Sequence, residues 1–120
     1  MATSRQKFLL AAVGLALVVA GISATSLRAG ARRPGDHLIC SFKVNVRARL
    51  GAAVSEIRRC SVPKYNQNIT HVSAVDLGKA GRGGYAHIND GGVGKKNVTL
   101  FLWSQKSQPL NFTVEVYAWP

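Results

Sequence analysis

The chain has 120 residues, of which 16 are Lys or Arg and five are Asp or Glu, for a formal net charge of +11. This length excludes a large multidomain protein, and so small a hydrophobic core often needs a covalent link to be stable. The basic balance favours acidic partners such as sulfated glycans, anionic lipid or nucleic acid, through an attraction that salt would screen.

The N-terminus has the pattern of a secretory signal peptide. Two basic residues precede 15 residues without charge, 8–22, and small residues follow. The alternative is a retained membrane anchor, but a helix of that length spans only about 22 Å of the ~30 Å hydrocarbon core. We therefore predict a signal helix over 1–24, no stable membrane span and a secreted, extracellular protein. Three cleavage positions fit, after Ser23, Ala24 or Ser26.

The next segment, 25–36, contains Gly, Pro and charge without a period, which predicts a flexible arm before a single β-domain over 37–120. From Cys40 to Leu50, apolar and polar residues alternate as in a half-buried strand. A second, less regular strand is predicted over 53–62. An antiparallel hairpin of these two strands would place Cys40 opposite Cys60.

Cys40 and Cys60 are the two cysteines of the chain. In an oxidising compartment two cysteines usually pair with each other, and we predict that disulfide here. It would close a loop of about 21 residues and stabilise the fold by roughly 3 kcal/mol in the chain-entropy model. The alternative is two free thiols or an intermolecular bridge.

The first two strands also predict a basic binding face. Alternation places Lys43, Arg47 and Arg49 on the outer side of the first strand, and Arg58 and Arg59 lie on its presumed partner. Such a stripe is suited to acidic polymers, which it would attract by Coulomb forces. The alternative is a solvated edge that keeps the protein soluble.

The remainder of the chain predicts four more short strands, at 69–76, 85–90, 97–104 and 111–118, separated by turns that contain Gly or Pro. No apolar period of 3.6 residues occurs outside the leader. The predicted fold class is therefore all-β: a small antiparallel β-sandwich or barrel of about six short strands after the N-terminal signal helix.

Three Asn-x-Thr triplets, beginning at Asn68, Asn97 and Asn111, are candidates for glycosylation. Alternation in the last strand places Asn111 on the charged, outer face. Asn97 shares a face with Phe101 and Trp103, which form either a second core layer or an exposed contact patch. The exposure of Asn97 therefore stays open.

The sequence has no signature of catalysis. Residues 91–96 are rich in Gly and Lys, but they lack the Gly-Lys-Ser/Thr that opens a helix in a phosphate-binding loop, so we predict a β-turn. His71 and His87 could approach across neighbouring strands and form a zinc site with His37, although their spacing does not require it. No arrangement of nucleophile, base and acid is recognisable. We predict no enzymatic activity, no cofactor and no metal.

Ordered matches in the second half carry a resemblance to a known family. They are Asn68-Ile69-Thr70, Asp76, Gly83-Gly84-Tyr85-Ala86, Ile88, Gly91-Gly92-Val93-Gly94, Val98-Thr99-Leu100, Ser104-Gln105 and Phe112-Thr113-Val114-Glu115-Val116-Tyr117. On these residues the stretch 65–118 resembles the multiprotein bridging factor 2 family of insects, also known as probable salivary secreted peptides. The cysteine pair and the basic loop 78–81 depart from the pattern of that family.

The resemblance implies a small secreted protein of salivary or venom-type secretions, in a family without assigned catalytic residues. It also implies an alternative function, a transcriptional co-activator that bridges a regulator to the general transcription machinery and binds a transcription-factor complex. The leader favours the secreted hypothesis. Acidic glycans or host proteins are then the candidate partners, and nucleic acid is not expected.

Overall fold

The computed structural model describes residues 26–120, and these contain seven strands and no helix. The strands are β1 (Leu27–Gly30), β2 (His37–Val46), β3 (Ser55–Ser61), β4 (Asn68–Asp76), β5 (Tyr85–Gly91), β6 (Asn97–Trp103) and β7 (Leu110–Trp119). The all-β prediction is confirmed. The signal helix predicted over 1–24 lies outside the described residues, and within the described part no helix could cross a membrane.

The strands form two sheets that pack on each other as a sandwich. The four-stranded sheet has the order β1-β4-β7-β2, and the three-stranded sheet has the order β3-β6-β5. Every pairing in both sheets is antiparallel. Each strand therefore turns one row of side chains toward the other sheet and the alternate row outward.

The hydrophobic core lies between the two sheets and follows the predicted alternation. The fully buried side chains include Phe112, Val114 and Val116 of β7 and Val98, Leu100 and Leu102 of β6. Both strands are central in their sheets, so neighbouring strands cover them on each side. Burial of such a set is the main force that holds the two sheets together.

The predicted hairpin of the first two strands is wrong. β2 pairs with β7 and β3 pairs with β6, so the two strands lie in different sheets. β2 ends at Val46, and the chain then crosses between the sheets through a turn in which Gly51 has a φ of 79°. The alternation continues in sequence to Leu50, but that side chain is 97% exposed because no strand pairs with it.

A disulfide joins Cys40 of β2 to Cys60 of β3, with their Cα atoms 6.3 Å apart. Since the two strands belong to different sheets, the bond links the sheets along one side of the sandwich. Cys60 is only 4% exposed, so the bridge also closes that side of the core.

The segment 25–36, predicted as a flexible arm, is held against the four-stranded sheet in its described part. β1 pairs with β4 along its whole length. Beyond β1, the Arg32 guanidinium lies 3.6 Å from the centroid of the Tyr117 ring, and that of Arg33 lies 3.8 Å from the ring of Trp119. These cation–π contacts, which sequence periodicity could not indicate, fix the segment to the outer face of β7.

The Asp36 carboxylate anchors the same segment. It accepts hydrogen bonds from Arg32 Nε (3.0 Å), from the backbone N–H of Arg33 (3.0 Å) and from the hydroxyl of Thr70 (3.2 Å). All three donors favour the ionised carboxylate. Led by the hydrogen bond from Arg32, they lower the pKa of Asp36 to about 2.

We expect this segment to detach from the sheet in acid. The pKa of an unfolded Asp is about 3.9, so the contribution of Asp36 to stability is complete above about pH 4 and is lost as the pH falls toward about 2. Trp119 fluorescence, measured in a Trp103→Phe background, should report the transition. Asp36→Asn should abolish it, whereas Asp90→Asn, at an exposed position, should leave it in place; a titration that is the same in all three proteins would contradict the assignment.

Candidate functional site

The five cations predicted as a basic binding face do not share one surface. Lys43 points outward from β2, between the inward-facing Phe42 and Val44. Arg47 and Arg49 follow the end of that strand, in the connection to β3. The strand on which the three cations were predicted to share one side therefore ends before Arg47 and Arg49.

The two arginines of β3 lie on opposite faces of their sheet, since consecutive residues of a strand point to opposite sides. Arg58 lies on the inner side, 5.3 Å from the ring of Phe42, with its Nε 3.6 Å from a Glu56 carboxylate oxygen. Arg59 lies on the outer side, where its Nε donates a hydrogen bond to Thr99 Oγ1 (3.3 Å). The two arginines of β3 therefore do not share a face with each other.

A basic cleft of about 320 Å³ lies at one end of the sandwich, between the loop after β4 and the residues around the start of β7. It is lined by Leu77, Gly78, Lys79, Arg82, Gln108, Pro109 and Asn111. Two of these side chains are cationic and none is a carboxylate. The cleft is therefore suited to an acidic group, with apolar surface from Leu77 and Pro109 beside it.

The acid nearest in sequence, Asp76, turns toward the backbone of the loop. Its Oδ1 accepts a hydrogen bond from the N–H of Gly78 (3.0 Å), and its carboxylate lies where a side chain on Gly83 would have to stand. Leu77 donates its N–H to the carbonyl of Asn111 (2.9 Å), which ties the loop to β7. These contacts hold the loop in place and explain why a glycine is needed at position 83.

A second surface is the outer side of the three-stranded sheet, where an aromatic face is exposed. It consists of Ile57, Tyr85, His87, Phe101 and Trp103, brought together by the register of β3 and β5 on β6. Ring centroids are 5.2 Å apart for Phe101 and Trp103 and 5.4 Å apart for Tyr85 and Trp103, and Ile57 is 63% exposed. Phe101 and Trp103 thus belong to the surface, and they do not form a second core layer.

The three candidate glycosylation sites differ in exposure. Asn68 and Asn97 are exposed at the first residues of β4 and β6. Asn111 faces outward as alternation predicts, but it is half-buried, because it lies at the edge of the basic cleft. The structure therefore makes Asn97, whose exposure the sequence left open, more accessible than Asn111.

The histidines do not converge. His71 lies on the outer face of the four-stranded sheet beside Tyr117, with ring centroids 6.1 Å apart, whereas His87 belongs to the aromatic face of the other sheet. The alternative in which His71 and His87 approach each other across neighbouring strands does not occur, because β4 and β5 belong to different sheets. Within residues 26–120 no group of three His, Cys, Asp or Glu could hold a metal ion.

The glycine-rich segment 91–96 forms the turn between β5 and β6. The Nζ of Lys96 donates hydrogen bonds to the carbonyls of Tyr65 (2.6 Å) and Gln67 (2.8 Å). The carbonyl of Lys95 accepts the N–H of Ile69 (2.9 Å). The turn thus uses the side chain of Lys96 to hold neighbouring backbone carbonyls.

Comparison with known proteins identifies the family. The model of the family described as Transcription activator MBF2 matches residues 29–118. The chain belongs to the MBF2 family. A protein of Bombus ignitus named "Probable salivary secreted peptide" is 38% identical over 93 residues, which cover 78% of this chain and 69% of that protein. No solved structure matches the chain significantly.

The MBF2 match confirms the resemblance and extends it through the first half of the domain, since it begins within β1 and includes both the cleft and the aromatic face. Lys79 and Arg82 were missed as site residues from sequence. The basic character of the loop 78–81, which departs from the family pattern, was the signal that could have drawn attention to them.

Proposed function

We propose that this MBF2-family chain is a secreted, non-catalytic binding protein of salivary type that recognises acidic ligands through its basic cleft. The observation that carries the binding proposal is the pair of cations, Lys79 and Arg82, in a cleft whose lining includes no carboxylate. Secretion is supported by the leader pattern, by the disulfide and by the name of the bumblebee relative.

The charge of the whole domain supports the same class of ligand. Two of the 16 Lys and Arg residues precede residue 26, whereas all five Asp and Glu residues follow it. Residues 26–120 therefore have a formal net charge of 14 − 5 = +9. Ion pairs in this part of the chain join Arg32 to Asp36 and Arg58 to Glu56. The other cations leave a positive field that draws anions to the surface, and the cleft supplies a place where one of them can dock.

The size and lining of the cleft narrow the ligand further. Its cationic groups can bind a sulfate or carboxylate by charge-assisted hydrogen bonds. Leu77 and Pro109 offer apolar surface to the scaffold that carries the anion. A sulfated or carboxylated sugar combines these features, and a heparin-derived hexasaccharide is a suitable probe.

We expect Lys79→Ala/Arg82→Ala to weaken binding of this hexasaccharide about tenfold, because two exposed ionic contacts contribute up to about 1 kcal/mol each. The matched control is Lys43→Ala/Arg47→Ala, which removes the same net charge elsewhere and should weaken binding less than about twofold. Affinities are measured by calorimetric titration. All proteins carry Asn111→Gln, so that no glycan can fill the cleft.

Equal losses in the two double variants would show that binding depends on diffuse charge and would overturn the cleft as the site. The proteins are expressed with their leader in insect cells and purified from the medium. Accumulation of the chain inside the cells, with none in the medium, would contradict the secretory part of the proposal.

The second candidate function is a transcriptional co-activator, which the description of the family names. The disulfide argues against it, because the cytosol and nucleus keep thiols reduced. A reporter gene that responds to the chain without its leader would favour this candidate, and a reporter indifferent to the chain in both forms would remove it.

A further inference from the structure

The aromatic face and the Asn97 triplet lie on the same surface of the same strand. Asn97, Thr99, Phe101 and Trp103 alternate with the inward-facing Val98, Leu100 and Leu102 of β6, so all four lie on the outer face, although Thr99 is itself covered and only 5% exposed. At ~3.3 Å per residue, the Cα of Asn97 is about 13 Å from that of Phe101 along the strand. A glycan attached to Asn97 therefore starts at one end of the aromatic face.

The surface between Asn97 and the rings is polar and carries hydrogen-bonding groups. Ser61 lies opposite Asn97 in the register, and Arg59 lies opposite Thr99, to which its Nε donates a hydrogen bond (3.3 Å). This bond holds the Arg59 guanidinium across the path from Asn97 to Phe101. Its remaining N–H groups are donors for sugar hydroxyls.

The aromatic face itself suits a neutral ligand. None of its five residues carries a formal charge when His87 is neutral, although the domain around it is strongly basic. An acidic ligand gains more binding free energy from the cations elsewhere on the surface than from this uncharged face. Exposed apolar patches on small soluble proteins mark contact sites, so we expect a group with little charge to bind over the aromatic face.

The small area of the aromatic face argues against a second copy of the chain as the partner that binds over it. Three strands of seven residues span roughly 23 Å by 14 Å, or about 300 Å². A stable protein–protein interface needs about 800 Å² from each partner. An oligosaccharide, attached covalently at the margin, needs no such area because its local concentration is already high.

We infer that Asn97 is glycosylated and that the first sugars of its glycan fold back along β6 and cover the aromatic face. The glycosidic bond joins Asn97 Nδ2 to C1 of the first sugar, the amide loses one proton, and the pyrophosphate of a lipid-linked oligosaccharide donor leaves. The inference rests on the proposed secretory route.

The test follows Trp103 in a Trp119→Phe background, where it is the single tryptophan of the chain. Protein from insect-cell medium is mapped for glycan occupancy and titrated with acrylamide, before and after enzymatic removal of the glycans. We expect Asn97 to be occupied and the quenching constant of Trp103 to rise about twofold after removal. Asn97→Gln should show the higher constant from the outset, whereas Asn68→Gln, at an exposed site on the other sheet, should behave as the parent.

Four outcomes would overturn the inference. If Asn68 carries a glycan and Asn97 does not, the secretory proposal stands and the inference about Asn97 fails. If the chain stays inside the cells without glycans, both the secretory proposal and the inference fail. A quenching constant unchanged by deglycosylation would show that the sugars lie away from the rings. A dimer in sedimentation that shields Trp103 with or without the glycan would identify a second copy as the cover.

Discussion

Phe112→Ala is expected to lower the free energy of unfolding by about 4 kcal/mol, the typical loss for truncating a fully buried aromatic side chain. Phe112 is inaccessible to solvent in the centre of β7, which pairs with both β2 and β4. Small domains are stable by only about 5–15 kcal/mol, so this one substitution should remove much of the total. Urea unfolding, followed by circular dichroism, measures the loss.

The matched control is Phe101→Ala in the three-stranded sheet. Both substitutions remove the same atoms, but the Phe101 ring lies on the outer surface, where it contacts Trp103 and His87. Loss of such aromatic pairs costs about 1 kcal/mol. Equal losses in the two variants would contradict the sandwich and would show that the aromatic face is a second core layer.

Replacing Cys40 and Cys60 together with alanine should lower the free energy of unfolding by about 3 kcal/mol. The disulfide closes a loop over a sequence separation of 20 residues and joins two strands that share no backbone ladder. Removal of the disulfide raises the conformational entropy of the unfolded chain. In the folded protein, it leaves the edges of β2 and β3 joined only by side-chain packing. Paired urea curves of the variant and the parent, both under oxidising conditions, give the difference.

Chemical reduction of the parent protein is the control for this pair, because it opens the bridge while both sulfurs remain. Reduction should reproduce most of the loss, and it should leave the double alanine variant unchanged. A loss below about 1 kcal/mol in both experiments would contradict a stabilising link between the sheets.

The grouping of residues on one side of a strand can be predicted from sequence because a strand has a period of two. Alternation groups Val98, Leu100 and Leu102 of β6 on one side, and it groups Phe112, Val114 and Val116 of β7 in the same way. Alternation also placed Asn97 with Phe101 and Trp103. Alternation could not show whether this side of β6 is buried under another layer, because that depends on how many layers the fold has.

Strand partners could not be predicted in the same way. The hairpin prediction chose the nearest strand as the partner of β2, but that partner is β7, at the other end of the chain. Both arrangements bring Cys40 close to Cys60, so the cysteine pair did not distinguish them. The sequence also could not show that β2 ends at Val46, before two of the cations that were predicted to follow Lys43 along its outer side.

The candidate site depends on contacts between distant loops. Lys79 and Arg82 follow β4, whereas Gln108, Pro109 and Asn111 come from the region where β7 begins, and no periodicity relates the two segments. Likewise, Arg32 and Arg33 have the composition of a flexible arm, and only Tyr117 and Trp119 provide the rings on which they stack.

The sequence by itself determined the all-β class, the grouping of apolar residues on one side of the core strands, the family and the cysteine pair, because each depends on local order along the chain. Only the tertiary structure decided which strands pair, that the disulfide links two sheets, that the basic stripe is dispersed and that a cationic cleft and an aromatic face exist. These features depend on which distant residues meet, and burial of the whole core, summed over both sheets, selects that arrangement.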